Sequence, residues 1–286
     1  MTSKIKLGLL GPDGTFTAEA GIEYSMRRGL EPEMVWYKTI EECFVAVEED
    51  EVDRAVVPIL NSTRGASWIN ETLKRLRDSD VMIYDEQILQ IRHNLAALPG
   101  VGLEDIRYIH SKDKALQQCR KNLLRLCPYA EFRDESSTAA AAQKIRKLNE
   151  RQRSVLVPKR AAELYNLEIL AEDVQDYPNN KTRFIVISRH DNEPTGKDKT
   201  TAIFEFHGVD RPSLLYNIMK ELAERNISLA YLQSIPKDGE LDEFTFYCDI
   251  HGHRKDRLMS EAIKTIERDE NLSYWKVLGS YPIFRP

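Results

Sequence analysis

The sequence predicts an α/β protein in two parts: a two-lobed region over residues 1–190 and a βαββαβ ferredoxin-like sandwich over residues 200–286. Three observations predict it. From Ile5 to Ile187, short apolar strands are followed by polar turns and helices of 3.6-residue period, the rhythm of a parallel sheet. A polar, breaker-rich run, Asp191-Asn192-Glu193-Pro194-Thr195-Gly196-Lys197-Asp198-Lys199, then interrupts the pattern and is assigned as a linker over 191–199. Beyond it the strands alternate and pair as hairpins.

The elements follow in order. Ile5 to Leu10 is a buried strand ending in Gly11-Pro12-Asp13-Gly14-Thr15-Phe16, with a helix from about Thr17 capped by Thr15 or Thr17. That helix start offers free N–H groups to an anion, although the G-x-G-x-x-G of a dinucleotide site is absent. Thr39 to Glu49 is an amphipathic helix. Arg54 to Ile59 is a strand that stops at Asn61-Ser62-Thr63-Arg64-Gly65, and a helix follows around Ile69 to Leu76. Val81 to Asn94 is extended and crosses into the second lobe. There Ile106 to His110 is a strand, Ala115 to Leu126 a helix, and Phe132 to Ser137 the next strand and turn. Thr138 to Leu148 is an alanine-rich helix capped by Ser137 or Thr138, Ser154 to Val157 a strand, and Pro158 to Tyr165 a short helix. Ile169 leads back toward Thr182. Lobe 1 therefore takes about 1–85 and 172–190, and lobe 2 about 86–171. In the last domain the pattern places strands at Thr201–Phe206, Ile227–Leu232, Phe244–Ile250 and Tyr274–Ile283. One helix opens at Pro212, a second is marked by Leu258, Ile263 and Ile266, and Lys237 to Glu240 makes a hairpin turn.

Composition narrows the function. The 286 residues are 30% charged and 42% hydrophobic, with a net charge of -5 and no basic block, which argues against nucleic acid and anionic membrane as partners. No apolar run approaches the ~20 residues of a membrane span, and the first residues lack a signal-peptide core. Cys43, Cys119, Cys127 and Cys248 are scattered without metal or disulfide spacing. A cytoplasmic protein that holds no metal is expected.

The chemistry is placed at Asn179-Asn180-Lys181-Thr182-Arg183-Phe184, where a turn-prone run enters an apolar strand. Groups at a strand end are held by a rigid sheet, and in α/β sheets ligands bind outside such ends. Thr182 offers a hydroxyl donor and Arg183 a guanidinium fork that matches a carboxylate. His93 and His110 sit in apolar strands and are read as structural, Cys119 as a packed thiol, and Glu48-Glu49-Asp50-Glu51 as a solvated helix end.

At this point the chain resembles the prephenate dehydratases that carry a C-terminal ACT regulatory domain. The resemblance rests on Gly11-Pro12-Asp13-Gly14-Thr15-Phe16, Pro58-Ile59-Leu60-Asn61-Ser62 with Gly65 and Asn70-Glu71-Thr72-Leu73, and Ala115-Leu116-Gln117-Gln118-Cys119. Ser137-Thr138-Ala139-Ala140-Ala141 and Thr182-Arg183-Phe184 complete the first part. Gly208-Val209-Asp210-Arg211-Pro212, Leu214-Leu215, Asn226-Ile227-Ser228-Leu229 and Gln233-Ser234-Ile235-Pro236 carry the ACT part. It implies a catalytic region like type II periplasmic binding proteins and conversion of prephenate to phenylpyruvate, water and carbon dioxide, without a cofactor, in L-phenylalanine biosynthesis. It assigns Thr182, Arg183 and Phe184 to catalysis, and Thr15, Asn61, Ser62, Ser111, Gln118, Ser137 and Thr138 to substrate binding. Pro212, Ser213, Leu214, Leu215, Asn226, Gln233 and Ser234 would bind L-phenylalanine as an allosteric effector, and the ACT domain would build a homodimer or homotetramer.

The chain departs from the family pattern in four places. Leu60 stands where a Glu is usual, and Ser111-Lys112-Asp113-Lys114 where Ser-His-Pro-Gln is usual. Ser213-Leu214-Leu215 replaces Gly-Ala-Leu, and Gln233-Ser234-Ile235-Pro236 replaces Glu-Ser-Arg-Pro. Two rivals are carried forward: prephenate decarboxylation on the same fold, and a non-catalytic amino-acid-sensing regulator.

Overall fold

The computed structural model describes residues 4–62, 67–207, 214–237 and 242–285, with Ser67 and Trp68 as backbone only. By internal contacts the chain falls into two compact units, residues 1–72 with 87–184, and residues 73–86 with 185–286.

The first unit is built on two sheets. Strands β1 (Lys6–Leu10), β2 (Glu33–Tyr37) and β3 (Arg54–Asn61) pair in parallel. The two-residue β4 (Ser67–Trp68) folds back antiparallel on the end of β3. Helices α1 (Phe16–Arg28) and α2 (Ile40–Glu48) pack on β1 and β3. Gly21 of α1 is a close approach, because a Cβ there would lie 2.4 Å from Leu9 Cδ2. After α3 (Asn70–Asp78), β5 (Met82–Gln90) leads out of this sheet, and much later β11 (Lys181–Ser188) returns to lie between β3 and β5.

Everything between β5 and β11 forms the second sheet. Its strands are β6 (Asn94–Ala97), β7 (Tyr108–Ser111), β8 (Glu131–Asp134), β9 (Arg153–Val157) and β10 (Glu168–Ala171), in the order β10-β6-β9-β7-β8. This sheet is mixed: β7 runs parallel to β8 and β9, whereas β6 is antiparallel to β9 and β10. Helices α4 (Asp113–Gln118), α5 (Arg120–Leu126), α6 (Thr138–Leu148) and α7 (Lys159–Leu164) accompany it. Leu95, Ile109, Leu123, Ile145, Val155 and Leu156 are fully enclosed in one apolar cluster.

Two differences from the sequence expectation concern this unit. The strand β2 was not anticipated. The helix expected over Ala115–Leu126 is two helices, broken at Cys119, where Asp176 accepts from the backbone N–H groups of Lys121 and Asn122 at 3.1 and 3.0 Å. That carboxylate satisfies the first free donors of α5 and so stabilises a new helix start.

The second unit contains a four-stranded antiparallel sheet of β12 (Asp198–Phe206), β13 (Leu229–Pro236), β14 (Phe244–His251) and β15 (Leu272–Pro282), ordered β13-β14-β12-β15. With α8 (Leu214–Glu224) and α9 (Arg257–Ile266) the order is βαββαβ. β12 begins at Asp198, inside the run assigned as linker, and β13 lies further along the chain than the expected Ile227–Leu232. Pro212, Ser213 and residues 238–240 of the expected hairpin turn lie outside the described residues. Phe204 stacks between Phe246, at 5.1 Å, and Trp275, at 6.0 Å between ring centroids. Glu205 is buried, yet accepts from Thr245 Oγ1 at 2.9 Å and pairs with Lys237 at 3.0 Å and Arg77 at 3.1 Å. Burial works to raise its pKa, but these partners together hold it below the usual value. Lys276 Nζ donates to the carbonyls of Leu76, Arg77 and Ser79, where a cation complements the end of α3.

Candidate active site

The strand ends of the first unit converge on a cavity of about 310 Å³. β1 delivers Leu10 and Gly11, β3 delivers Asn61, β11 delivers Thr182 and Phe184, and the second sheet contributes His93, Gln118 and the start of α6. Two helix N-termini face it. Thr15 caps α1 by accepting from Ala18 N at 3.2 Å, and Ser137 caps α6 by accepting from Ala140 N at 3.0 Å. Each cap satisfies one first-turn donor and leaves others for an anion.

A string of side-chain hydrogen bonds crosses the cavity floor. Asn61 Nδ2 donates to Asn180 Oδ1 at 3.0 Å and to Thr182 Oγ1 at 2.7 Å. Asn180 Nδ2 donates to Gln118 Oε1 at 3.3 Å, and His93 Nε2 approaches the same oxygen at 3.2 Å. An amide oxygen only accepts, so the proton of His93 sits on Nε2 and its Nδ1 keeps a lone pair. The directions of all these bonds are thereby linked, and Thr182 stands at the end as an acceptor. Its own O–H is left to point at whatever occupies the cavity.

His93 is the residue that sequence reasoning missed. It was read as a satisfied structural histidine, but it lines the cavity and its buried Nδ1 has no hydrogen-bond partner. Burial pushes its pKa down to about 4, against the bond to Gln118, which works to raise it; the ring is neutral near pH 7. Phe16 holds it edge-on at 5.2 Å between ring centroids. The signal in the sequence was its place beside Asn94 at the polar end of the extended segment Val81 to Asn94. His110, by contrast, is fully occupied, with Nδ1 on Glu135 at 2.9 Å and Nε2 on Arg153 at 2.9 Å.

Thr15, Asn61, Gln118, Ser137, Thr138, Thr182 and Phe184 are brought together around the cavity, and three expected residues are not. Arg183 is the first: side chains alternate along a strand, and Asn180, Thr182 and Phe184 take the cavity face. Arg183 falls on the other face and is 9% exposed. Ser111 is the second; it is fully buried and donates to the Leu156 carbonyl at 2.8 Å. Ser62 is the third. It donates to Asn179 O at 3.1 Å and accepts from Lys181 N at 2.8 Å, so it ties β3 to the start of β11 and thereby positions Thr182.

In the second unit a cavity of about 280 Å³ is lined by Leu214, Leu215 and Ser234 among the expected effector residues, with Phe206, Phe244 and Phe246 as its aromatic wall. Asn226 and Gln233 are not among its lining residues. Asn226 has φ 56° and follows α8, where a left-handed residue ends a helix. Gln233 is engaged locally, donating to Ser234 O and accepting from Tyr231.

The chain is similar to known proteins over most of its length. The family model described as prephenate dehydratase matches residues 7–192. A bifunctional chorismate mutase/prephenate dehydratase of Neisseria gonorrhoeae is 34% identical over 278 residues, covering 97% of this chain and 74% of its own. A solved prephenate dehydratase of Arthrobacter aurescens, in complex with L-Phe, superposes with a TM-score of 0.84 at 30% identity, covering 98% of this chain and 90% of that one. A structure described as a novel type of quorum-quenching acylase, GqqA, superposes at 0.80 with 25% identity, covering 97% and 98%.

Proposed function

The chain belongs to the prephenate dehydratase family, and from that premise we infer its reaction and the parts its residues take. It is a lyase that converts prephenate to phenylpyruvate in L-phenylalanine biosynthesis. The bond between the ring and its carboxylate breaks, and carbon dioxide leaves. The electron pair moves through the ring, which becomes aromatic, and expels the hydroxyl from the opposite carbon. One proton is taken up, so that the hydroxyl departs as water.

The observation that carries the assignment of roles is the Asn61–Thr182 bond of 2.7 Å. By donating to Thr182 Oγ1, Asn61 leaves the threonine proton for the departing oxygen. A threonine hydroxyl is too weak an acid to be ionised, so Thr182 acts as a preorganised donor where charge develops. The same free donor supports dehydration over decarboxylation alone, which would retain the hydroxyl. It also supports an enzyme over a sensor, because a binding cleft needs no donor aimed at a leaving group. The acylase chemistry named for one structural neighbour gains no support: the cleft hydroxyls include none hydrogen-bonded to His93, whose Nε2 faces Gln118.

Thr182→Val keeps the β-branched shape in the strand and removes the donor. It is expected to lower kcat by at least ~100-fold with a smaller change in KM, followed by phenylpyruvate formation. A kcat within a few-fold of wild type would remove Thr182 from the mechanism.

The βαββαβ sandwich over residues 200–286 acts as the regulatory ACT domain, and L-phenylalanine is its effector. The aromatic wall of its cavity suits an apolar side chain, and the nearby carboxylates of Asp242 and Glu243 suit an ammonium. The protein assembles as a homodimer or homotetramer through this domain. Four free, buried thiols favour a reducing compartment, in keeping with a cytoplasmic enzyme.

A further inference from the structure

Resting on the dehydratase assignment, we propose that Lys38, Lys112 and Lys114 form a cationic rim that recognises the two carboxylates of the substrate and selects the keto acid over its amino-acid counterpart. The need for such a rim follows from Arg183. The substrate brings two negative charges, and the guanidinium expected to meet them falls on the far face of β11. Among the described residues, those that line the cavity include no Asp and no Glu, but they include these three lysines. All three are exposed, and none has an ion-pair partner among the described residues. Two other cations of the unit do have a partner: Lys144 pairs with Glu135 at 2.6 Å, and Arg160 with Asp13 at 2.9 Å. The one acid inside the Lys112-Asp113-Lys114 run accepts from Gln117 Nε2 at 2.5 Å, within α4.

The cleft is graded from rim to floor. Thr182 is 8% exposed and His93 2%, whereas the lysines reach solvent. The substrate is graded the same way. Both carboxylates, one direct and one on the pyruvyl arm, depart from a single ring carbon, and the hydroxyl sits on the carbon opposite. With the hydroxyl at Thr182, the carboxylate end lies toward the rim. Lys38 comes from the turn before α2 in the first lobe, and Lys112 and Lys114 from the cap and first turn of α4 in the second, so both walls supply charge. The amino-acid counterpart carries an ammonium in place of the keto oxygen. Among the described residues it would meet three cations and no anion to receive that group, so repulsion by the rim discriminates against it.

Exposed lysines hold the substrate and its transition state about equally, so their loss falls on KM and not on kcat. The test compares wild type with Lys112→Gln/Lys114→Gln and with Lys38→Gln, on prephenate and on its amino counterpart, at low and raised salt. The double variant is expected to raise KM for prephenate about 5- to 10-fold, to leave kcat within about 3-fold, and to flatten the salt dependence of KM. The ratio of kcat/KM for the two substrates is expected to narrow by a similar factor. A KM for prephenate within about 2-fold of wild type, or equal losses on both substrates, would overturn the rim. Wild-type protein that makes no phenylpyruvate would instead overturn the dehydratase assignment on which the rim rests.

Discussion

At Thr182 and its neighbours, period two decides which residue can act. Thr182 and Phe184 face the cavity and Arg183 does not, although all three stand together in the motif. The place of a hydroxyl at the cavity end of a strand was legible in the sequence, while the direction of the neighbouring guanidinium required the alternation of the strand to be applied. His93 was illegible for another reason. An apolar setting says that a histidine is buried, and says nothing about which of its nitrogens finds a partner. The neutral ring has a consequence for stability. Its pKa is lowered in the fold from 6.5 to about 4, so between those values the unfolded chain binds a proton that the folded chain refuses. Stability is therefore fully kept above pH 6.5 and falls as pH drops toward 4. At pH 5 the loss from this one group is roughly 2 kcal/mol. Urea unfolding of wild type and His93→Gln at pH 7 and pH 5 is expected to show a drop smaller by about that amount in the variant. Equal drops would place the proton elsewhere.

Secondary-structure elements were legible where their apolar period was clean, as in α1, α6 and α9, and less so where a distant group intervenes. β2 follows Glu31-Pro32, is five residues long and lies at the edge of its sheet, and its short apolar run Met34-Val35-Trp36-Tyr37 does not by periodicity tell a strand from a piece of helix. The break between α4 and α5 leaves the apolar period intact. Its cause, Asp176, lies 54 residues beyond Asn122, and no local pattern reports it. The break matters because Gln118 ends α4, and Asp176 N donates to the Gln118 carbonyl at 2.8 Å. Asp176 thus fixes the residue that receives both His93 and Asn180. Asp176→Ala uncovers two N–H groups at the start of α5 and is expected to cost about 1–2 kcal/mol in unfolding experiments. Asp176→Asn retains one acceptor and is expected to lose less. If alanine is as stable as wild type, the helix start does not depend on this carboxylate.

The two-lobed plan of the first unit was foreseeable from the insertion of one set of strands into another. The clasp between its lobes was not, because it pairs residues 147 apart in sequence. Asp13, in the turn after β1, receives Arg160 of α7 through two parallel bonds, Nε to Oδ1 and Nη2 to Oδ2, both 2.9 Å. Beside it Gly14 has φ 85°, and a Cβ there would lie 3.2 Å from Ala161 Cβ, so the turn meets α7 as closely as a side chain would permit. The hydrogen bond from Arg160 is the main cause holding the Asp13 carboxyl below its usual value. The clasp is accordingly intact at neutral pH and opens only as pH falls through that lowered value. Both partners are partly exposed, 42% and 30% for their side chains, so the pair adds little to global stability. Its leverage is on the equilibrium between open and closed lobes, where even ~1 kcal/mol changes a population several-fold. A cleft that strengthens a donor at a departing hydroxyl by excluding bulk water gains from the closed form. Arg160→Met is therefore expected to shift the thermal midpoint by no more than a degree or two while raising KM for prephenate about 3- to 5-fold. Asp13→Asn should give the same result, and the double variant no more than either alone, as for two ends of one contact. Additive effects in that cycle would mean that the residues act separately, and that the lobes are held together by the close packing of Gly14 on Ala161 without the charge.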